Sequence, residues 1–201
     1  IFDLDGVIVT TDDCHYRAWK RMADEEGINF DRSINERLRG VSRMDSLSII
    51  LERAGKPYTE AQKEEMAARK NRYYVDLISA LTPEDILPGA LEVINALKAK
   101  GIRVAIGSSS RNTPIILRQI GLSNAFDAVS DGNQITHSKP HPEVFLLAAK
   151  LLQLPPAECL VVEDADAGIE AALAGGMKAL GVGSAAKNPR ATYRAETLAD
   201  A

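Results

Sequence analysis

Apolar and polar positions fall into two regimes along this 201-residue chain. From Ile1 to Val9 the residues are almost continuously apolar, interrupted at Asp3 and at Asp5-Gly6, the pattern of a strand buried on both faces. Residues 12–81 change to helical periodicity without a strand signal. Thr11-Asp12 is placed to cap a helix running to about Glu26, stopped by Gly27. Ser33-x-x-Glu36 reads as a capping box for a short helix ended by Gly40. Ser42-x-x-Asp45 opens the next, ended by Gly55, and Thr59-x-x-Gln62 opens a long one carrying Met66, Ala67, Lys70, Tyr73, Tyr74 and Leu77. Four helices in succession predict a small bundle. From Ile86 strands and helices alternate. Strands are expected at 102–106, 128–129, 159–162 and 179–182. Helices are expected from Pro88-Gly89 to Gly101, from Pro114 to Gly121, over 142–152 and over 167–174. That alternation predicts an α/β fold with a parallel sheet covered on both faces. The bundle is then an insertion: residues 1–11 and 82–201 form a discontinuous core, residues 12–81 a helical domain, with hinges at 9–12 and 79–87.

Composition narrows the class. An apolar fraction of 45% and a charged fraction of 26% are ordinary for a globular protein. A net charge of −4 gives no footprint for nucleic acid and no basic face for a membrane surface. Cys14 and Cys159 have no metal-like spacing and read as free thiols of a reducing cytoplasm. The chain opens inside a strand, at Ile1, so further residues are expected before it.

The polar residues that look chemical follow the strands, where open α/β sheets bind their ligands. The first strand supplies Asp3 and Asp5, the strand at 102–106 supplies Ser108, Ser109 and Ser110, the loop before the helix at 142 supplies Lys139, and the strand at 159–162 supplies Glu163 and Asp164. Four clustered carboxylates raise one another's pKa unless a cation sits among them. Hard oxygen donors without histidine or cysteine at ligand spacing point to magnesium. Magnesium with a lysine and a hydroxyl makes a phosphate clamp. One carboxylate would then be free to attack phosphorus and another to move a proton. Singly, each element has a plainer reading: Asp-x-Asp as a turn, Ser108–Ser110 as an N-cap, Glu163-Asp164 as a capping pair. Their joint order along the strand ends favours the clamp.

Asp3-Leu4-Asp5-Gly6, Ser108, Lys139-Pro140 and Glu163-Asp164 resemble the four motifs of the haloacid-dehalogenase-like (HAD) superfamily, whose Rossmann-like core often carries an inserted helical cap. Within the insertion and beside Ser108, further residues resemble the β-phosphoglucomutase family: Thr11, His15, Ala18-Trp19, Arg39-Gly40-Val41-Ser42-Arg43, Arg69-Lys70-Asn71 with Tyr74, and Ser108-Ser-Ser-Arg-Asn112. That family interconverts β-glucose 1-phosphate and glucose 6-phosphate through β-glucose 1,6-bisphosphate. The resemblance implies that Asp3 is the nucleophile and Asp5 the general acid and base. It implies Mg2+ held by Asp3, the Asp5 carbonyl, Glu163 and Asp164, with Ser108 and Lys139 on the transferring phosphoryl group. Arg43, Ser110 and Asn112 would hold the second phosphate, beside Arg111, which stands where a lysine is usual. Gly40, Val41, Trp19 and Lys70 would line the sugar site, and Thr11, His15 and Lys70 would act at the hinge. Thr10-Thr11 replaces the usual Asp-Thr of the first linker, and His141 and Ala165 also depart from the family pattern. The partners implied are sugar phosphates, and the expected state is a cytoplasmic monomer. A sugar-phosphate or phosphoglycolate-type phosphatase and a disaccharide 1-phosphate mutase share the same core motifs. A phospho-accepting signalling module would lack the helical insertion, and a dehalogenase does not need Glu163 and Asp164.

Overall fold

A computed structural model describes residues 1–38 and 41–201. The chain divides into two compact units, Ile1–Thr10 with Leu81–Ala201, and Thr11–Ala80.

The first unit is a parallel sheet with helices. Its strands are β1 (Ala105–Gly107), β2 (Ala128–Ser130), β3 (Leu160–Glu163), β4 (Lys178–Gly181) and β5 (Tyr193–Arg194), and its helices are α5 (Ala90–Ala99), α6 (Thr113–Gln119), α7 (Glu143–Leu152) and α8 (Asp166–Ala174). (The helices α1–α4 belong to the second unit.) β1 pairs with β2, and β4 lies between β3 and β5, all in parallel. Phe2 joins the two groups. Its N–H donates to Ala105 O (2.8 Å) and its carbonyl accepts from Gly107 N–H (2.8 Å); on the other side Asp3 N–H donates to Val162 O (2.9 Å). The N-terminal segment is therefore central, and its last ladder residue is Asp3. The chain leaves past Val9, which bridges to Ile86 on the return.

Burial drives this layout. Phe145, Val144 and Ala148 of α7 pack with Ala105, Val161, Ile169 and Ala179 in one cluster. Each fully buried large apolar side chain contributes about 1.5–3 kcal/mol. α7 thereby fixes the loop before it, which carries Lys139.

The second unit has α1 (Asp12–Glu25), α2 (Arg32–Glu36), α3 (Arg43–Leu51) and α4 (Glu60–Ile78). Trp19, Met22, Ile28, Phe30, Ile34, Leu47, Ile50 and Met66 form its core. Arg69 of α4 donates to Glu25 at the end of α1 and to Glu26, its C-cap, at 3.0 and 2.5 Å, holding the two long helices together. No described helix is long and apolar enough to cross a membrane.

Several local expectations need correction. Thr11 occupies the N-cap of α1 but makes no side-chain cap bond; its hydroxyl pairs with Tyr74 OH at 2.9 Å. The cap of α2 is Asp31, which accepts from Ile34 N–H at 3.1 Å, and Ser33 donates to Asp31 at 2.5 Å rather than capping. Ser42 and Thr59 do cap α3 and α4, Thr59 within a full capping box with Gln62. The strand expected at 102–106 begins only at Ala105. Ile102 is exposed, and Asp127 Oδ2 takes the Val104 N–H at 2.7 Å in place of a ladder partner. The first strand is shorter than its apolar run suggests, because the chain turns back on itself after Asp3: Ile8 and Val9 N–H both donate to Leu4 O.

Candidate active site

The strand ends of the first unit converge on one ammonium group. Lys139 Nζ donates to Asp3 Oδ1 at 2.7 Å and to Glu163 Oε1 at 2.5 Å. Oxygen atoms of Asp3, Glu163 and Asp164 lie within 4.8 Å of one another. Three of these residues are nearly dry, Asp3 at 8% exposed, Glu163 at 1% and Lys139 at 7%, while Asp164 is half-buried.

Such packing of like charge has electrostatic consequences. Burial raises the Glu163 carboxyl; Lys139 pulls it down and Asp3 pushes it up, leaving it at about 7. Burial, followed by the charges of Asp3, Glu163 and Asp5, raises Asp164 to about 8. Burial alone would lower the Lys139 ammonium, but Asp3 and Glu163 more than reverse this and hold it above the ordinary lysine value. One lysine thus leaves the acids undercompensated, and a cation among them would relieve the repulsion. The donors are all carboxylate oxygens, the set a hard divalent ion prefers.

Two glycines leave room for the acids. A Cβ at Gly168 of α8 would stand 1.9 Å from Glu163 Cδ, and one at Gly6 would stand 2.2 Å from Asp164 Oδ2. Gly6 also has φ +82°, a conformation that disfavours any side chain. Glu163 Oε2 accepts from Ala165 N–H at 2.9 Å, and the Asp164 carbonyl accepts from Ala185 N–H at 3.0 Å. The ends of β3 and of the Phe2 segment are therefore rigid supports. In the sequence Gly168 carries no mark beyond being a glycine inside a helix, five residues after Glu163.

Ser108 follows β1. It is buried, donates its N–H to Ser130 O at 3.0 Å and accepts from Ser110 N–H at 3.2 Å through its hydroxyl. Ser109 Oγ receives the Lys139 N–H at 3.5 Å, linking the β1 loop to the lysine loop. Ser110 Oγ accepts from Asn112 N–H at 3.2 Å. Asn112 itself holds the N-cap position of α6, without a side-chain cap bond. The serines therefore organise their own loop, and the simple N-cap reading of Ser108–Ser110 does not hold. Arg111 is exposed, and its carbonyl accepts from Asn133 Nδ2 at 2.9 Å.

In the second unit another group forms around Lys70, which is buried. Its Nζ lies 2.8 Å from His15 Nδ1 and sits over the rings of Trp19 (4.7 Å) and Tyr74 (4.6 Å). His15 stacks on Tyr74 at 4.1 Å, and Tyr74 OH pairs with Thr11. Burial, Lys70 and Arg43, in that order, hold the His15 pKa well below its ordinary value. His15 is thus a neutral acceptor for Lys70, with Arg43 close enough to matter. Arg43 is the first residue of α3, after the Ser42 cap, and Val41 is half-buried just before it. Gly40 lies outside the described residues. Tyr74, noticed in the sequence only as part of a motif, is the residue that joins Thr11, His15 and Lys70.

A profile of haloacid dehalogenase-like hydrolases matches residues 1–176. The chain belongs to that family. Within it, the chain is 49% identical over 185 residues to a β-phosphoglucomutase of Bacillus subtilis, covering 91% of this chain and 82% of that protein. It is 32% identical to the fructose-1-phosphate phosphatase YqaB of Escherichia coli, covering 90% and 94%. The crystal structure of a β-phosphoglucomutase from Clostridium difficile superposes with a TM-score of 0.93 at 40% identity, over 98% of this chain and 90% of that one. The family's parallel α/β core is the sheet described above.

Proposed function

We propose that this chain is a phosphomutase that interconverts β-D-glucose 1-phosphate and D-glucose 6-phosphate through a β-glucose 1,6-bisphosphate intermediate and an aspartyl-phosphate enzyme. The observation that carries the reading is the 49% identity to a β-phosphoglucomutase, against 32% to a sugar-phosphate phosphatase.

The geometry around Asp3 supports the chemistry. An Asp3 oxygen attacks phosphorus, the phosphorus–oxygen bond to the sugar breaks, and the phosphoryl group passes to Asp3. Asp5, two residues on, gives a proton to the departing sugar oxygen and takes one from the hydroxyl that attacks in the return step. Lys139 and Ser108 hold phosphoryl oxygens, and Lys139 meanwhile offsets the charge of Asp3 and Glu163. Mg2+ would be held by Asp3, the Asp5 carbonyl, Glu163 and Asp164; when bound it supplies the positive charge that the crowded carboxylates lack. Rigid backbone bonds on both sides of Asp3 keep the attacking oxygen in place.

A mutase needs a second anion site for the phosphate that is not being transferred. Arg43 suits it because a guanidinium binds phosphate oxygens in a planar fork. Ser110, Arg111 and Asn112 are assigned to the same phosphate. Lys70, Trp19, Val41 and Gly40 are assigned to the sugar, and Thr11, His15 and Lys70 to the hinge. Two free cysteines, one of them buried, are consistent with a cytoplasmic setting, and we take the working state to be a monomer.

A coupled assay tests the substrate. Magnesium-dependent formation of glucose 6-phosphate from β- but not α-glucose 1-phosphate is expected. Turnover of a disaccharide 1-phosphate in preference to glucose 1-phosphate would move the assignment to that mutase.

A further inference from the structure

Two of the chain's three histidines, His137 and His141, lie together on the first unit, on either side of Lys139 in the chain. His137 Nδ1 is 3.1 Å and His141 Nδ1 3.9 Å from Glu143 Oε2. The imidazole rings face each other with centroids 4.6 Å apart. One donor atom from each of the three residues falls within 4.8 Å of the others. Donors on a tetrahedral ion with bonds of about 2.0–2.1 Å stand roughly 3.3 Å apart, so these separations already bracket the geometry a small divalent ion requires.

From this geometry we infer that His137, His141 and Glu143 form a second metal site, selective for a borderline transition ion of the zinc class. Imidazole nitrogen with one carboxylate favours such ions over magnesium, which takes oxygen donors. Three protein ligands leave the fourth position to water. The carboxylate is already oriented as a ligand should be: Glu143 accepts from Thr136 N–H at 2.9 Å and His137 N–H at 2.8 Å. Such outer bonds fix first ligands and strengthen metal binding. His141 Nδ1 accepts a longer bond from Glu143 N–H at 3.3 Å, so its ring is held beside the carboxylate and offers Nε2, or Nδ1 once that bond is released. Both imidazoles are exposed, so the ion has open access and the rings are free to turn toward it.

The site shares no residue with the Asp3 cluster, yet it is built on the same loop. Lys139 stands between His137 and His141 in the chain. A bound ion therefore cross-links the loop that delivers Lys139 to Asp3 and Glu163.

The test is an equilibrium titration of the full chain with Zn2+ in excess Mg2+, so that the carboxylate cluster is occupied. The native chain and the double variant His137→Ala/His141→Ala are compared, with Glu143 retained because it closes the loop. One equivalent of Zn2+ is expected to bind the native chain and not the variant. Each single alanine variant should weaken binding by more than about tenfold, since losing even an outer partner costs that much. Co2+ in place of Zn2+ should give the intense visible absorption of a four-coordinate nitrogen-ligated site, absent from the double variant. Uptake that is equal in the double variant, or no uptake by the native chain, would overturn the site. Both histidines are exposed, so circular dichroism of the variants should match the native chain.

Discussion

Lys139→Met isolates the charge at the centre of the cluster. Methionine keeps the length of the stem and can lie against the Phe145 ring, which sits 4.7 Å from Nζ, so little cavity is created. What is lost is an ammonium whose side chain is 4% exposed, donating to acids that are 11% and 1% exposed. Each charge-assisted bond is worth about 1.5–3 kcal/mol net, and stripping one partner from a buried pair costs about 3–5 kcal/mol because the other charge is left behind. The total is limited because Glu163, already at about 7, can take up a proton once its partner is gone. We therefore expect a loss of about 3–5 kcal/mol above the Glu163 value and a smaller loss below it. Urea unfolding of the metal-free protein, on both sides of that value, measures this. Turnover should fall by about 10²–10³-fold, the range for removing one group that stabilises developing charge. An equal loss of stability at both pH values, or no loss, would refute the electrostatic account of the cluster.

Three further predictions follow from particular contacts. Gly168→Ala places a methyl 1.9 Å from Glu163 Cδ, so the carboxylate must move; Mg2+ affinity measured by calorimetry should fall at least about tenfold while the far-ultraviolet spectrum is retained. Glu163 and Asp164 titrate above their ordinary values of 4.5 and 3.8, so the folded metal-free protein holds more protons than the unfolded chain. Their contribution to stability is complete below those ordinary values and is lost as pH rises from them to about 7 and about 8; the melting temperature should fall across that window without Mg2+, and Mg2+ should restore it most at the alkaline end. Arg43→Ala should abolish isomerisation of β-glucose 1-phosphate yet leave phosphoenzyme formation from a small phosphoryl donor within about threefold, because the arginine is assigned to the phosphate that is not transferred.

The catalytic core was legible in the sequence for a physical reason. Parallel strands buried on both faces read as apolar runs, and ligands gather where those runs end, so Asp3, Ser108, Glu163 and Asp164 could be placed by position alone. The ion pairs of Lys139 could not: a lysine in a loop carries no mark of the two acids it meets, and the chain distance to Asp3 hides the contact. Helix caps were legible where side chain and amide are three residues apart, as at Ser42 and Thr59. The cap failed at Thr11, where a tertiary partner, Tyr74, competes for the hydroxyl, and at Ser33, where Asp31 is the stronger acceptor. The strand at 102–106 was overextended because apolar residues also line the turn that leaves α5, where Asp127 satisfies the Val104 amide. The tight contact at Gly168 leaves no periodic trace, and Tyr74 reads as a motif member whose ring stack on His15 no spacing shows.

In the proposed reaction the phosphoryl group carried by Asp3 passes to a sugar hydroxyl rather than to water. Incubation with Mg2+, β-glucose 1-phosphate and a trace of β-glucose 1,6-bisphosphate, with glucose 6-phosphate and inorganic phosphate measured together, tests it directly. Glucose 6-phosphate is expected as the main product, with little phosphate released. Release of phosphate without glucose 6-phosphate would contradict it and make the protein a phosphatase.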